Sequence, residues 1–157
     1  MTDKHKLHHY QATCLWRGST GVGYEAYDRS HELSARPTKA TIAASSDPAF
    51  HGKPERLNPE QLLVMAAASC QMLSFLAIAA RARLDVVEYE DQAEGFMPED
   101  DKPIRITRIV LKPRIVLRGN TSEERVRHLI EQAHHECYIA NSLKTEIELQ
   151  PQIVIKA

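Results

Sequence analysis

The chain has 157 residues, with 20 basic side chains against 21 acidic ones; it is long enough to own a core and too evenly charged to favour nucleic acid or an anionic membrane surface. Three cysteines, Cys14, Cys70 and Cys137, are odd in number and widely spaced, which excludes a disulfide framework. The His-rich start (His5, His8, His9) lacks the apolar run of a signal peptide, so the expectation is a single domain over 1–157 in the reducing cytoplasm.

In chain order, Tyr10 to Trp16 suits a strand, Gly18 to Gly23 a turn, and Tyr24 to Tyr27 the returning strand of a hairpin. Leu33 to Ala44 predicts a third strand. Ser45 to Leu57, with Pro48, Gly52 and Pro54, predicts an irregular loop of the kind that lines sites.

The sharpest local signal is Asn58-Pro59-Glu60-Gln61, where Asn caps, Pro occupies the first helical position and the acid meets the positive end of the helix dipole. From Leu62 to Ala80 no residue is charged and the sequence is apolar or small nearly all round, which predicts a helix buried on every side. Ser69, Gln71 and Ser74 dilute the stretch and no aromatic belt flanks it, so a core helix is expected and no membrane partner.

Ile104 to Leu117 predicts a strand interrupted at Pro113. Thr121-Ser122-Glu123-Glu124 is a capping-box pattern opening a second helix, with Val126, Leu129, Ile130 and Ala133 at helical spacing. Thr145 to Ile155 alternates as a closing strand. The order predicts an α+β fold, with helices packed on one face of an antiparallel sheet.

Cys70 lies mid-helix and reads first as a small buried hydrophobe. Cys137 follows His134-His135-Glu136 where a helix ends, and Tyr138 to Leu143 could begin another turn whose N–H groups would favour a thiolate, so buried filler and reactive thiol both stand. Cys14, beside Trp16 in a strand, reads as structural. Imidazole and thiolate in His134-His135-x-Cys137 suit zinc, but adjacent helical residues point about 100° apart and seldom share an ion, so no metal is expected. No glycine-rich phosphate loop is present and no cofactor is expected.

Asn58-Pro59-Glu60-Gln61-Leu62-Leu63, followed by the Ala-rich run to Ser69-Cys70, resembles the signature of the OsmC/Ohr family of organic-hydroperoxide reductases. Cys137 with Ala140-Asn141-Ser142-Leu143 and a final strand is similar to the family's second signature. The resemblance covers roughly Leu57 to Ala157, and Tyr24-x-x-Tyr27-x-Arg29-x-His31 is similar to a divergent OsmC-like subgroup. It implies the OsmC-like fold, an intertwined homodimer, and a thiol peroxidase acting on small-molecule hydroperoxides. Cys70 would attack, Cys137 would resolve, and a dithiol reductant such as a lipoyl protein would restore both thiols.

The resemblance also implies an arginine that holds the thiolate and is held in turn by Glu60; Arg29 is the preferred candidate and Arg17 the other. An unassisted thiol with pKa about 8.5 is only a few per cent thiolate at neutral pH, so such a charge is needed. Glu60 and Cys70 are about 15 Å apart along one helix, so two helices packed antiparallel about a two-fold axis would bring Glu60 of one copy to Cys70 of the other. Met65, Met72, Phe75 and Phe50 are candidates for an apolar substrate pocket. The alternative function is an OsmC-like redox-responsive or binding protein without turnover.

Overall fold

The computed structural model describes residues 6–157; His5 lies outside the described residues. Two compact units divide the chain, Met1–Pro59 and Glu60–Ala157.

The first unit carries an antiparallel sheet of β1 (Thr13–Leu15), β2 (His31–Ser34) and β3 (Thr41–Ala44) in that order, with Cys14 opposite Leu33 and His31 opposite Ala44. Tyr24 to Tyr27 does not return as a strand. The N–H groups of Ala26 and Tyr27 both donate to the Gly23 carbonyl, which winds the segment into a turn; Gly23, at φ 96°, takes a backbone conformation that other residues rarely adopt. The chain closes this long connection with Trp16 Nε1 donating to the Asp28 carbonyl at 2.6 Å. The strand expected over Leu33 to Ala44 is a hairpin instead, because Pro37 can neither donate to a ladder nor continue a strand.

The loop after β3 is irregular, as its composition predicts. Asp47 caps a single 3-10 turn, Pro48–Phe50, accepting from the Ala49 N–H at 2.8 Å. A Cβ on Gly52 would stand 1.6 Å from the Ser46 carbonyl oxygen, so only glycine permits this approach.

Asn58 precedes α1 (Pro59–Arg81), as expected, and from Glu60 onward the helix belongs to the second unit. Two three-stranded sheets follow, one ordered β4 (Asp85–Asp91), β7 (Pro113–Arg118), β9 (Gln152–Lys156), the other β5 (Glu94–Phe96), β6 (Arg108–Leu111), β8 (Glu146–Leu149). Between β7 and β8 lie α2 (Glu123–Glu136), capped by Ser122 Oγ accepting from the Arg125 N–H, and the short α3 (Tyr138–Ser142).

The class is α+β, as expected, but the pairing is not wholly antiparallel: β6 pairs β8 and β7 pairs β9 in parallel. Each single strand expected from the sequence, Ile104 to Leu117 and Thr145 to Ile155, divides and serves both sheets. The divisions fall at Lys112-Pro113 and Gln150-Pro151, where a ladder donor is missing.

Both hydrophobic clusters of the described residues belong to this unit. Phe75, Ile78 and Ala79 of α1 pack with Ile115 and Leu117 of β7 and with Val126, Ile130 and Ala133 of α2. Ala67 of α1 packs with Ile106, Ile109 and Leu111. Gln71 is buried between α1 and α2, its Nε2 donating to the Ile130 carbonyl at 3.2 Å. Burial on every side of α1 is not met within one chain: Gln61, Met65, Ser69, Leu73 and Ala77 stay exposed, spaced by four and therefore on one row of the helix.

Candidate functional site

Cys70 is half-buried on the middle of α1, opposite the exposed row only in part. Cys137 sits at the junction of α2 and α3 and is 1% exposed. Its N–H donates to the His134 carbonyl to end α2, and its carbonyl accepts from the Asn141 N–H at 3.0 Å to begin α3. This double role fixes the sulfur. The fold brings it into the neighbourhood of Cys70, close enough for each free thiol to influence the other.

Burial pushes the Cys137 thiol up; the Ala140 N–H opposes that shift, the Cys70 thiol adds to it, and the Ile139 N–H opposes it again. Cys137 is therefore held as a thiol, with two backbone donors in place for the charge it would carry once deprotonated.

Two residues of β4 that the sequence did not single out carry buried polar atoms in the same unit. Tyr89 packs its ring near Phe75, at 6.1 Å between centroids, and its hydroxyl is buried without a partner. Asp91, two residues on and so on the same face of the strand, accepts from the Lys112 N–H at 2.7 Å through Oδ1, while Oδ2 is buried and unpartnered. Burial pushes the Asp91 carboxyl up, against the Lys112 N–H. No sequence pattern marks them, because Glu88 and Glu90 interrupt the apolar residues and a register shift falls between Val86 and Glu88.

His134 and His135 divide as their adjacency predicts: His134 has a buried, unpartnered Nδ1, and His135 is exposed. Burial, then His135, holds the His134 imidazole below its ordinary range. Among the described residues no three His, Cys, Asp or Glu side chains converge as a ligand set.

Glu60 lies in the first turn of α1, remote from Cys70 along the same helix by about 15 Å. Arg29 is in the first unit, 8% exposed, between the rings of Tyr24 and Tyr27 at 4.9 and 3.8 Å. Its Nη1 donates to the Tyr27 carbonyl and its Nη2 to the Tyr24 carbonyl, at 2.7 and 2.6 Å, so its charge is rigidly placed. Arg17 is exposed. Cys14 is exposed in β1, not the buried filler its strand position suggested, because this face of the small sheet lacks a covering layer within the unit. Of the candidates for an apolar pocket, Phe75 is sealed in the core of the second unit and Met65 is half exposed. A hollow of about 360 Å³ opens in the first unit, walled by Trp16, Tyr27, Arg29 and His31 among others.

Two free cysteines, one mid-helix and one at a helix junction, stand in an α+β unit with two three-stranded sheets. The family described as OsmC-like protein matches residues 51–152, and the chain belongs to it. It is 26% identical over 153 residues to the uncharacterized protein YmaD of Bacillus subtilis, covering 95% of each. An OsmC-like protein of unknown function from Vibrio cholerae has a similar structure, with TM-score 0.84, 29% identity, and coverage of 93% of this chain and 100% of that one. An organic hydroperoxide resistance protein from Elizabethkingia anophelis shares the fold at TM-score 0.69 and 16% identity, over 97% and 99% of the two chains.

Proposed function

We propose that the protein is a cytoplasmic thiol peroxidase that reduces organic hydroperoxides through Cys70 and Cys137. The observation that carries this is the proximity of two free thiols supplied by separate elements, one half-open and one sealed. The Cys70 thiolate attacks the hydroperoxide, the O–O bond breaks, an alcohol leaves with a proton, and Cys70 becomes a sulfenic acid. Cys137 then bonds to the Cys70 sulfur with loss of water, and a dithiol, a lipoyl protein or one like it, reduces the bridge.

The protein acts as a homodimer in this reading. The exposed row of α1, with Met65 50% and Leu73 61% exposed, is an apolar face that a second copy covers. By length and composition α1 could also cross a membrane. The hydrogen bond of Gln71 to α2 and the joint core with β7 argue for the dimer helix instead. Glu60 and Arg29 keep the roles the resemblance gives them, and the antiparallel second helix answers the separation of Glu60 from Cys70 within one chain.

The reading is tested by one equivalent of cumene hydroperoxide followed by peptide mass analysis. A Cys70–Cys137 bridge is expected in the parent, with consumption abolished in Cys70→Ser and kept in Cys14→Ser. Equal losses in both variants overturn it. The involvement of both Arg29 Nη groups with carbonyls favours a second reading, a redox-responsive protein without turnover; steady consumption of peroxide with a dithiol rejects that reading.

A further inference from the structure

The small sheet of the first unit presents two unlike faces. Cys14, Trp16 and His31 help to wall the hollow of about 360 Å³. Leu15, Arg17 and Glu32, which alternate with them along the chain, wall a second hollow of about 470 Å³ together with Thr41 and Arg56. Register sets its floor: Glu32 stands between Leu15 of β1 and Ala43 of β3, so one carboxylate rises between two apolar side chains. Arg17 follows β1, and Arg56 ends a turn in which its N–H donates to the Lys53 carbonyl at 3.1 Å. Among the described residues neither guanidinium has a hydrogen bond or an ion pair, and Glu32 pairs with neither. Lys53 and His51 of the same unit are answered by Asp28 and Glu25, and Arg29 by two carbonyls.

We propose that this hollow binds a small carboxylic acid that also carries a hydrogen-bond donor, either a hydroxyl or an ammonium group. Arg17 and Arg56 take the carboxylate, Glu32 accepts from the donor, and Leu15 and Ala43 pack against the carbon skeleton. The volume is that of a small-molecule site. Each guanidinium presents its N–H groups in a planar fork that matches a carboxylate, and two of them at one hollow repel each other until an anion enters. Two cations and one carboxylate leave a single positive charge, which a monocarboxylate balances. The donor is required because a ligand without one would set its own charge beside Glu32 with nothing to separate them. The inference goes beyond the two-thiol reading and does not rest on it; it gives Arg17 a task other than holding a thiolate.

The test is titration of the full chain, labelled with nitrogen-15, by lactate, alanine and propionate in turn, read at the amide signals of Leu15 and Ala43. Lactate offers a hydroxyl, alanine an ammonium, and propionate only the carboxylate. At least one of lactate and alanine is expected to shift both signals, and whichever binds more tightly identifies the donor. Propionate should bind at least about tenfold more weakly than that ligand, the loss expected when a hydrogen bond to a charged group is missing. Arg17→Gln and Arg56→Gln should each raise the dissociation constant at least about tenfold. In Glu32→Ala, propionate and the preferred ligand should bind alike.

Arg17 and Glu32 are exposed and bound to no other side chain, so their variants should unfold at the parent temperature. If Arg56→Gln unfolds earlier, Arg56→Lys, which keeps the charge and loses the fork, carries the same test and should also bind more weakly than the parent. No shift with any of the three acids, parent affinity in either arginine variant, or propionate binding the parent as tightly as lactate and alanine each overturn the site. None of these readouts depends on peroxide, so the thiol reading stands or falls separately.

Discussion

Leu73→Glu tests whether the exposed row of α1 is an interface. Leu73 is 61% exposed in the single chain, so covering it fully would remove roughly three-fifths of a leucine from water. Complete burial of a leucine stabilises by about 1.5–3 kcal/mol, so this portion is worth about 1–2 kcal/mol per copy and twice that across a two-fold axis. A glutamate forced into the same contact adds a desolvation cost of at least about 2 kcal/mol. Over both copies the sum of about 6–8 kcal/mol corresponds to a dissociation constant raised by about four decades or more. On a monomer the same change would fall at an open surface position and alter stability by no more than about 0.5 kcal/mol. Sedimentation velocity from nanomolar to high micromolar concentration reads the difference. A dimer of parent affinity in Leu73→Glu would refute the covered row, and a parent that stays monomeric throughout would refute it as directly.

Gln71→Leu is expected to be neutral or stabilising by up to about 2 kcal/mol in urea unfolding, because the hydrogen bond it gives up is worth about 1 kcal/mol and the unpartnered Oε1 costs about 1–3; a loss above 1 kcal/mol would mean that Oε1 has a partner. Cys137→Ser should consume one equivalent of peroxide at the parent rate, stop turning over with a dithiol and accumulate Cys70 sulfenic acid reactive to dimedone; turnover at the parent rate would remove Cys137 from the mechanism. His134, held below its ordinary value of 6.5, binds fewer protons folded than unfolded, so its contribution is intact above that pH and declines as the pH falls through 6.5 toward the folded value. The melting temperature should therefore fall less between pH 7.5 and 5.5 in His134→Gln than in the parent, and equal falls would contradict the burial of that imidazole.

Local chemistry made much of the second unit legible. Asn58-Pro59-Glu60 marks the start of α1 because cap, proline and acid each satisfy the same helix end, and Ser122 with the acids after it marks α2 for the same reason. The strand β4 was not legible: Glu88 and Glu90 break the apolar run and a register shift between Val86 and Glu88 disturbs the alternation. Tyr89 and Asp91 went unnoticed with it. The turn at Tyr24 to Tyr27 reads as a strand because aromatic residues favour strands, whereas here the Tyr24 and Tyr27 carbonyls accept from the Arg29 guanidinium and the Ala26 and Tyr27 N–H groups donate to the Gly23 carbonyl.

By itself the sequence determined the elements that depend on neighbours in the chain: where α1 and α2 begin, that Cys70 falls mid-helix, and that Cys137 falls where a helix stops. Only the tertiary structure decided that the two thiols lie near each other, that Pro113 and Pro151 send each long strand into two sheets, and that one row of α1 is left uncovered. The physical reason is range. Caps and helical periodicity act over three or four residues, whereas the approach of Cys70 to Cys137 depends on packing between α1 and the α2–α3 junction, which no local pattern encodes.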